Sequence, residues 1–339
     1  MKLGSVKSGG RDGILVVVDK ALQRAIAVPD HAATMQAALD DWARIAPALE
    51  KIYLSLNTSP SLGFALDIDD LAAPLPRAYQ WLDASAYLSH LERVRRARGA
   101  DMPAHMYADP LMYQGGSDSA LGPREPIIAA DEAWGVDFEA EVAVICDDVP
   151  MGVTAAAAGR HIKLLMLVND VSLRNLIPDE LAKGFGFVHG KPANAYSPVA
   201  VTPDELGNNW RDNRIHLPLT CRVNGETIGA PLAGEDLHFG FDRLIAHAAK
   251  SRRLGAGTII GSGTVSNQDA SRGCACLIEK RVLEQLETGQ ATTPFLKFGD
   301  QVEIEMLDPT GNTLFGAIHH TVTRPAASRR DAAGHPVPG

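Results

Sequence analysis

The stretch Val136-Asp-Phe-Glu-Ala-Glu-Val-Ala-Val144 decides the reading of the fold. As a strand it puts Phe138, Ala140, Val142 and Val144 on one face and Asp137, Glu139 and Glu141 on the other. Neighbouring like charges repel and are costly to desolvate, so such a face either stays in water or holds a cation. Carboxylate oxygens suit a hard ion such as Mg2+, Mn2+ or Ca2+ rather than zinc. Taken alone, the stretch also fits the simpler case of a half-exposed strand with a polar outer face.

A second segment tips the balance. His161 to Asp170 reads as a helix feeding an apolar strand, Ile162 to Val168, which ends at Asn169-Asp170 and is followed by Ser172 and Arg174. An acidic residue at the end of an apolar strand is well placed to face a cleft. With Glu139 and Glu141, Asp170 would complete a three-carboxylate site.

The chain of 339 residues is long enough for a large core and two domains of unequal size. Its hydrophobic fraction of 45% and charged fraction of 22% are ordinary for a globular enzyme. A net charge of −9 argues against nonspecific binding to nucleic acid or acidic membranes, but leaves an anionic small substrate open. The cysteines Cys146, Cys221, Cys274 and Cys276 form no CxxC pair, so packing is their expected role. Met1 to Gly10 lacks an apolar signal core and no run of about 18 apolar residues occurs, which points to a cytoplasmic protein.

From the amino terminus, Gly13 to Val18 and Arg24 to Val28 read as two strands, and His31 to Ile52 as one helix with Met35, Leu39, Trp42, Ile45 and Leu49 at helical spacing. Pro60, Pro74 and Pro76 punctuate a boundary between residues 58 and 77. Trp81 to Arg98 reads as a helix whose run Arg93, Arg95, Arg96 and Arg98 makes a solvated face or a subunit contact. The loop from Tyr107 to Asp118 gathers Tyr, Gln and Asp on a flexible backbone, as binding loops do. Lys183 to Lys191 is a glycine-punctuated loop ending in a cation, and the remainder is β-rich, with a turn at Asn224-Gly225 and a helix from Phe241 to Ser251. Gly255-Ala-Gly257 lacks the helix a dinucleotide fingerprint requires, and there is neither a P-loop nor a Gly-x-Ser-x-Gly elbow.

Four motifs in this order resemble the fumarylacetoacetate hydrolase superfamily: Val-Asp-Phe-Glu-Ala-Glu-Val-Ala-Val at 136–144, Val-Asn-Asp-Val-Ser-Leu-Arg-Asn at 168–175, Gly190-Lys191 before Ser197-Pro198, and Gly-Ser-Gly-Thr-Val-Ser at 261–266. The resemblance is to its two-domain bacterial members. It implies an α+β architecture: a mixed β-roll catalytic domain over residues 76–327 and a small α/β amino-terminal domain over 1–75; the composition of the tail, rich in Ala, Ser, Arg, Gly and Pro, points separately to disorder over 328–339. The resemblance further implies a homodimer and a divalent cation, Mg2+ or else Mn2+ or Ca2+, held by Glu139, Glu141 and Asp170. Asp109 resembles the further ligand that the fumarylacetoacetases take from the preceding loop. Lys191 resembles the carbonyl-polarising cation, Tyr113 and Arg174 are expected substrate contacts, and Thr264 resembles the residue that binds the substrate carboxylate.

The activity implied is hydrolysis of a C–C bond in a 2,4-dioxo acid, fumarylacetoacetate or a related acylpyruvate, in aromatic-compound catabolism. In the fumarylacetoacetases the base is a His paired with a Glu, seven residues after the loop Asp. Glu279 resembles the Glu, but counting from Asp109 arrives at Gly116. His105 and His189 are the substitutes by proximity in sequence. Without that His, decarboxylation, hydration or isomerisation of a 2-oxo acid on the same enolate-stabilising site becomes an alternative. A non-catalytic protein with a structural cation is the other, and Lys191 argues against it, since a structural calcium site needs no lysine beside its ligands.

Overall fold

A computed structural model describes residues 1–97, 99 and 101–326, and shows the expected α+β architecture. The largest sheet has eleven strands. In spatial order it runs Phe64–Ala65, Arg24–Ala27, Ile14–Val18, Lys2–Val6, Ala200–Val201, Ile162–Asn169, Ala140–Cys146, Thr258–Gly261, Gln80–Ala84 and Met112–Gly115, with Ala195–Tyr196 also paired to Ile162–Asn169. A second sheet of five strands runs Glu226–Gly229, Thr220–Val223, Gln301–Glu305, Ile318–Thr323 and Ile127–Ile128. The turn between Thr220–Val223 and Glu226–Gly229 places Asn224 at φ 53° and Gly225 at φ 82°, the left-handed pair that a two-residue hairpin demands.

The alternation in the opening stretch sorts side chains into two cores. Phe138, Ala140, Val142 and Val144 pack with Leu165, Leu167, Leu237 and Phe239 on one side of the large sheet. Ala143 and Ile145 pack on the other side with Leu164, Met166 and amino-terminal residues such as Leu3, Leu15 and Val17. The amino-terminal strands therefore extend the catalytic sheet, Lys2 pairing with Val201 in antiparallel register.

Three elements depart from expectation. Val136 to Val144 is not one strand: Val136–Asp137 and Ala140–Cys146 pair with different partners, and Phe138-Glu139 joins them. The helix expected over His31 to Ile52 is two, Met35–Asp40 and Trp42–Thr58, the first capped by the Thr34 hydroxyl, which accepts from the Ala37 N–H at 3.2 Å. Trp81 to Arg98 is not one helix either, since Gln80–Ala84 is a strand and only Leu88–Ala97 is helical. The strand pairs in parallel with Thr258–Gly261, Gln80 opposite Thr258 and Asp83 opposite Gly261. A partner distant in sequence thus overrides the local helical pattern, and Asp83 is delivered into the sheet.

Among the described residues no helix is long and apolar enough to cross a membrane. The expected tail, 328–339, and Arg98 lie outside the described residues.

Candidate active site

The carboxylates converge where the strands Gln80–Ala84 and Ala140–Cys146 end beside the loop after Ile162–Asn169. Asp83, Glu139, Glu141 and Asp170 each offer an oxygen, and these atoms lie within 4.8 Å of one another. All four residues are buried, Glu139 the most exposed at 6%. Room exists because position 261 is glycine: a Cβ there would meet Asp83 Oδ1 at 2.5 Å and Glu141 Oε2 at 3.0 Å.

Two cations face this group. Lys191 Nζ donates to Glu139 Oε2 at 2.8 Å, to Ser172 Oγ at 2.8 Å, and to Asp170 Oδ2. Burial opposes its charge, but Asp170 and Glu139 outweigh burial and hold the ammonium protonated, its pKa above the ordinary lysine value. Arg174 Nη2 lies 2.6 Å from Glu139 Oε1, and its Nε donates to Asp137 Oδ2 at 2.8 Å. Tyr113 donates its hydroxyl to Asp170 Oδ2 at 2.7 Å. Burial and the charge of Asp170 raise its pKa, so the phenol keeps its proton.

The charge balance favours a cation. Glu139 is held well below the ordinary carboxylate range because Arg174 and Lys191 outweigh its burial. Glu141 is pushed well up by burial and then by Asp83, and Asp83 is pushed up by burial and then by Asp170. Both carboxylate oxygens of Glu141 are buried without a hydrogen-bond partner. Orphaned carboxyl oxygens beside three more carboxyl groups, too crowded and buried for all to ionise without added positive charge, fit an oxygen-ligated divalent ion.

Beside the carboxylates lies a cavity of about 160 Å³ whose lining includes Asp83, His90, Tyr113, Glu139, Arg174, Phe187, Lys191 and Thr264. His90, on the helix Leu88–Ala97, places Nδ1 at 2.6 Å from Glu279 Oε2. Glu279 is completely buried in the first turn of the helix Leu277–Thr288, and its Oε1 accepts from Ser266 Oγ at 2.9 Å and from Arg93 Nη1. Burial alone would raise the Glu279 pKa, but His90 and Arg93 lower it, so the group is a carboxylate and His90 Nδ1 carries the donated hydrogen. The imidazole's other nitrogen makes no hydrogen bond among the described residues.

The structure thus brings together Lys191, Tyr113, Arg174, Thr264, Glu139, Glu141, Asp170 and Glu279. It corrects Asp109, which sits exposed after the short helical turn Ala104–Tyr107 and outside the carboxylate cluster. Asp83 stands in its place. It also corrects the substitutes for the missing histidine. His105 is exposed, and the His189 side chain is 78% exposed, its backbone N–H donating to Glu180. Counted from Asp83 instead of Asp109, the same seven-residue spacing reaches His90. Both residues lie within the Trp81 to Arg98 stretch, whose local pattern is helical, and the seven-residue spacing between them is the sequence signal that links them. The four cysteines are buried and unbridged.

Residues 80–323 match the Fumarylacetoacetate (FAA) hydrolase C-terminal family, and residues 1–77 match Fumarylacetoacetase N-terminal domain 2. Rat oxaloacetate tautomerase Fahd2a, a mitochondrial protein, is 26% identical over 159 residues, 46% of this chain and 48% of the relative. The chain thus spans about half the length of that relative. Oxaloacetate tautomerase YisK of Bacillus subtilis (strain 168) is 24% identical over 254 residues, 74% of each chain. Among solved structures, maleylpyruvate hydrolase from Sphingobium sp. SYK-6 superposes with a TM-score of 0.64 at 14% identity, over 96% of this chain and all of that one, which shows a shared fold. The chain belongs to the fumarylacetoacetate hydrolase family, a family of divalent-metal-dependent enzymes.

Proposed function

We propose that this chain hydrolyses a C–C bond in a 2,4-dioxo acid, fumarylacetoacetate or a related acylpyruvate, with a divalent cation at Asp83, Glu139, Glu141 and Asp170. The observation that carries the reading is His90 on the wall of the cavity lined by Asp83, Glu139 and Lys191, its Nδ1 backed at 2.6 Å by the buried Glu279 Oε2. A carboxylate-backed imidazole is what hydrolysis needs and a purely structural cation site does not. When bound, the cation would neutralise the substrate's carboxylate, polarise its enolisable carbonyl and stabilise the enolate leaving group.

The side chains divide the work. Glu279 fixes the His90 tautomer, so the free ring nitrogen takes a proton from water as the oxygen adds to the distal carbonyl. The bond between that carbon and the neighbouring methylene carbon breaks, its electron pair remaining on the methylene carbon as an enolate. The proton held by His90 then returns to that carbon, and a carboxylic acid and a shortened oxo acid depart. Lys191 and Arg174 offset negative charge as it builds. Thr264 and Tyr113 orient the substrate at the wall.

The names of the curated relatives favour a second reading, in which the same site interconverts the keto and enol forms of oxaloacetate. There His90 would move a carbon-bound proton and no water would be consumed. Turnover of acylpyruvates and oxaloacetate in H2 18O with added Mg2+ separates the two. One 18O atom in the carboxylic acid product supports hydrolysis, and an unchanged carbon skeleton overturns it.

A further inference from the structure

Asp137 is completely buried and does not line the cavity, yet it touches both halves of the site. Its Oδ1 accepts the Leu277 N–H at 2.8 Å and its Oδ2 accepts the Ile278 N–H at 2.9 Å. These are two of the unpaired amides at the start of the helix Leu277–Thr288, where a negative charge also suits the helix dipole. The same Oδ2 accepts from Arg174 Nε at 2.8 Å, and Arg174 Nη2 reaches Glu139 Oε1 at 2.6 Å. Glu279 lies one residue beyond Ile278 in the same first turn. One carboxylate therefore fixes the helix end that presents Glu279 to His90, and the guanidinium that rests on a carboxylate of the cation site.

We propose that Asp137 is a positioning residue for the reaction, acting through Glu279 to hold the His90 base in register with the cation site. The inference rests on the hydrolytic reading above. A side chain that served only to pack would not be spent on three charge-assisted hydrogen bonds joining elements 140 residues apart. The backbone supplies a separate tie, the Ala140 N–H donating to the Ala275 carbonyl at 2.8 Å, so the helix stays docked when the carboxylate is changed. What Asp137 adds is the precision of the helix's first turn.

The test is a double-mutant cycle on acetylpyruvate hydrolysis with saturating Mg2+. Asp137→Asn keeps the size and an acceptor but turns a donor toward Arg174. It is expected to lower kcat about 100-fold, the scale of an ångström's misplacement, with KM within about threefold. In an Glu279→Gln background the same change should cost less than about threefold, because the interaction it serves is already gone. Wild-type kcat in folded Asp137→Asn, or losses that simply multiply, overturns the inference and leaves the hydrolytic reading standing. Should Asp137→Asn not fold, Leu277→Pro removes one of the two donors at the first helical position, where proline is tolerated, and the same cycle decides. If the wild type hydrolyses nothing but tautomerises oxaloacetate, the hydrolytic reading fails, and the cycle is scored on that rate instead.

Discussion

His90 Nδ1 sits 2.6 Å from Glu279 Oε2 although 189 residues separate them in the chain. The helix Leu88–Ala97 supplies one partner and the first turn of Leu277–Thr288 the other. Replacing either member should leave the cation site intact and remove the base. His90→Asn and Glu279→Gln are each expected to lower acylpyruvate hydrolysis by about 100- to 10,000-fold. Mn2+ affinity by calorimetry should stay within a few-fold of wild type. Full turnover in either variant would sink the assignment.

Asp83 and Asp109 make a matched pair for testing the cation site. Asp83 is buried within the cluster and Asp109 is exposed outside it. Asp83→Asn should weaken Mn2+ binding at least about tenfold and, at limiting metal, turnover with it, since first ligands cannot matter less than the groups that orient them. Asp109→Ala should behave as wild type. Calorimetry on both variants with a thermal scan decides, and the reverse order would restore Asp109 as the ligand.

Lys191 neutralises charge between Glu139 and Asp170 without being a cation ligand itself. Lys191→Met should cost about 100- to 1,000-fold in kcat, the loss found when one donor to a developing anion is removed. Cation binding should persist or tighten, since two carboxylates lose a competing positive charge. A collapse of Mn2+ affinity would show instead that the ammonium builds the cation site.

Gly261 keeps the space between Asp83 and Glu141 open. A methyl group there would also stand 2.4 Å from the Trp81 ring. Gly261→Ala should destabilise the fold by about 1–3 kcal/mol and weaken cation binding together, because the displaced atoms include two ligands. Denaturant midpoints and a Mn2+ titration of the same sample test the coupling. Loss of stability with unchanged affinity would mean that the clash is relieved away from the carboxylates.

His320 is a buried reporter of acid stability. Its Nε2 donates to the Gly122 carbonyl at 3.1 Å, and its Nδ1 accepts from Asn169 Nδ2 at 3.3 Å, an arrangement only the neutral ring can make. Burial depresses its pKa from 6.5 to about 4. Between those values the unfolded chain binds a proton that the folded chain refuses, so stability is complete above pH 6.5 and is lost as pH falls toward 4. The loss amounts to about 3 kcal/mol across the window. In His320→Gln that part of the pH dependence should vanish from urea unfolding between pH 4 and 6.5. An unchanged slope would place the proton uptake on other groups.

The reach of the sequence follows from what is local. Glu139 and Glu141 alternate on one short stretch, Asp170 closes an apolar run, and Lys191 ends a glycine loop, so residue type and spacing sufficed to single them out. Asp83 and His90 were not legible in this way. Gln80 to Ala84 has no local feature that makes it a strand, and it becomes one by pairing with Thr258–Gly261, about 180 residues downstream. That pairing moves the origin of the Asp-to-His spacing from Asp109 to Asp83. Asp137 is the converse case. It was visible beside Glu139 as one more carboxylate on the polar face, but a break at Phe138-Glu139 turns it away from the cluster and onto the end of the helix Leu277–Thr288. Periodicity is set by neighbours along the chain and so determined the ligand types, while the fold class followed from the order of the four motifs that resemble the family. Which carboxylates meet, and which histidine stands beside Glu279, depended on strand pairing and helix docking between distant segments, which only burial in the folded core enforces.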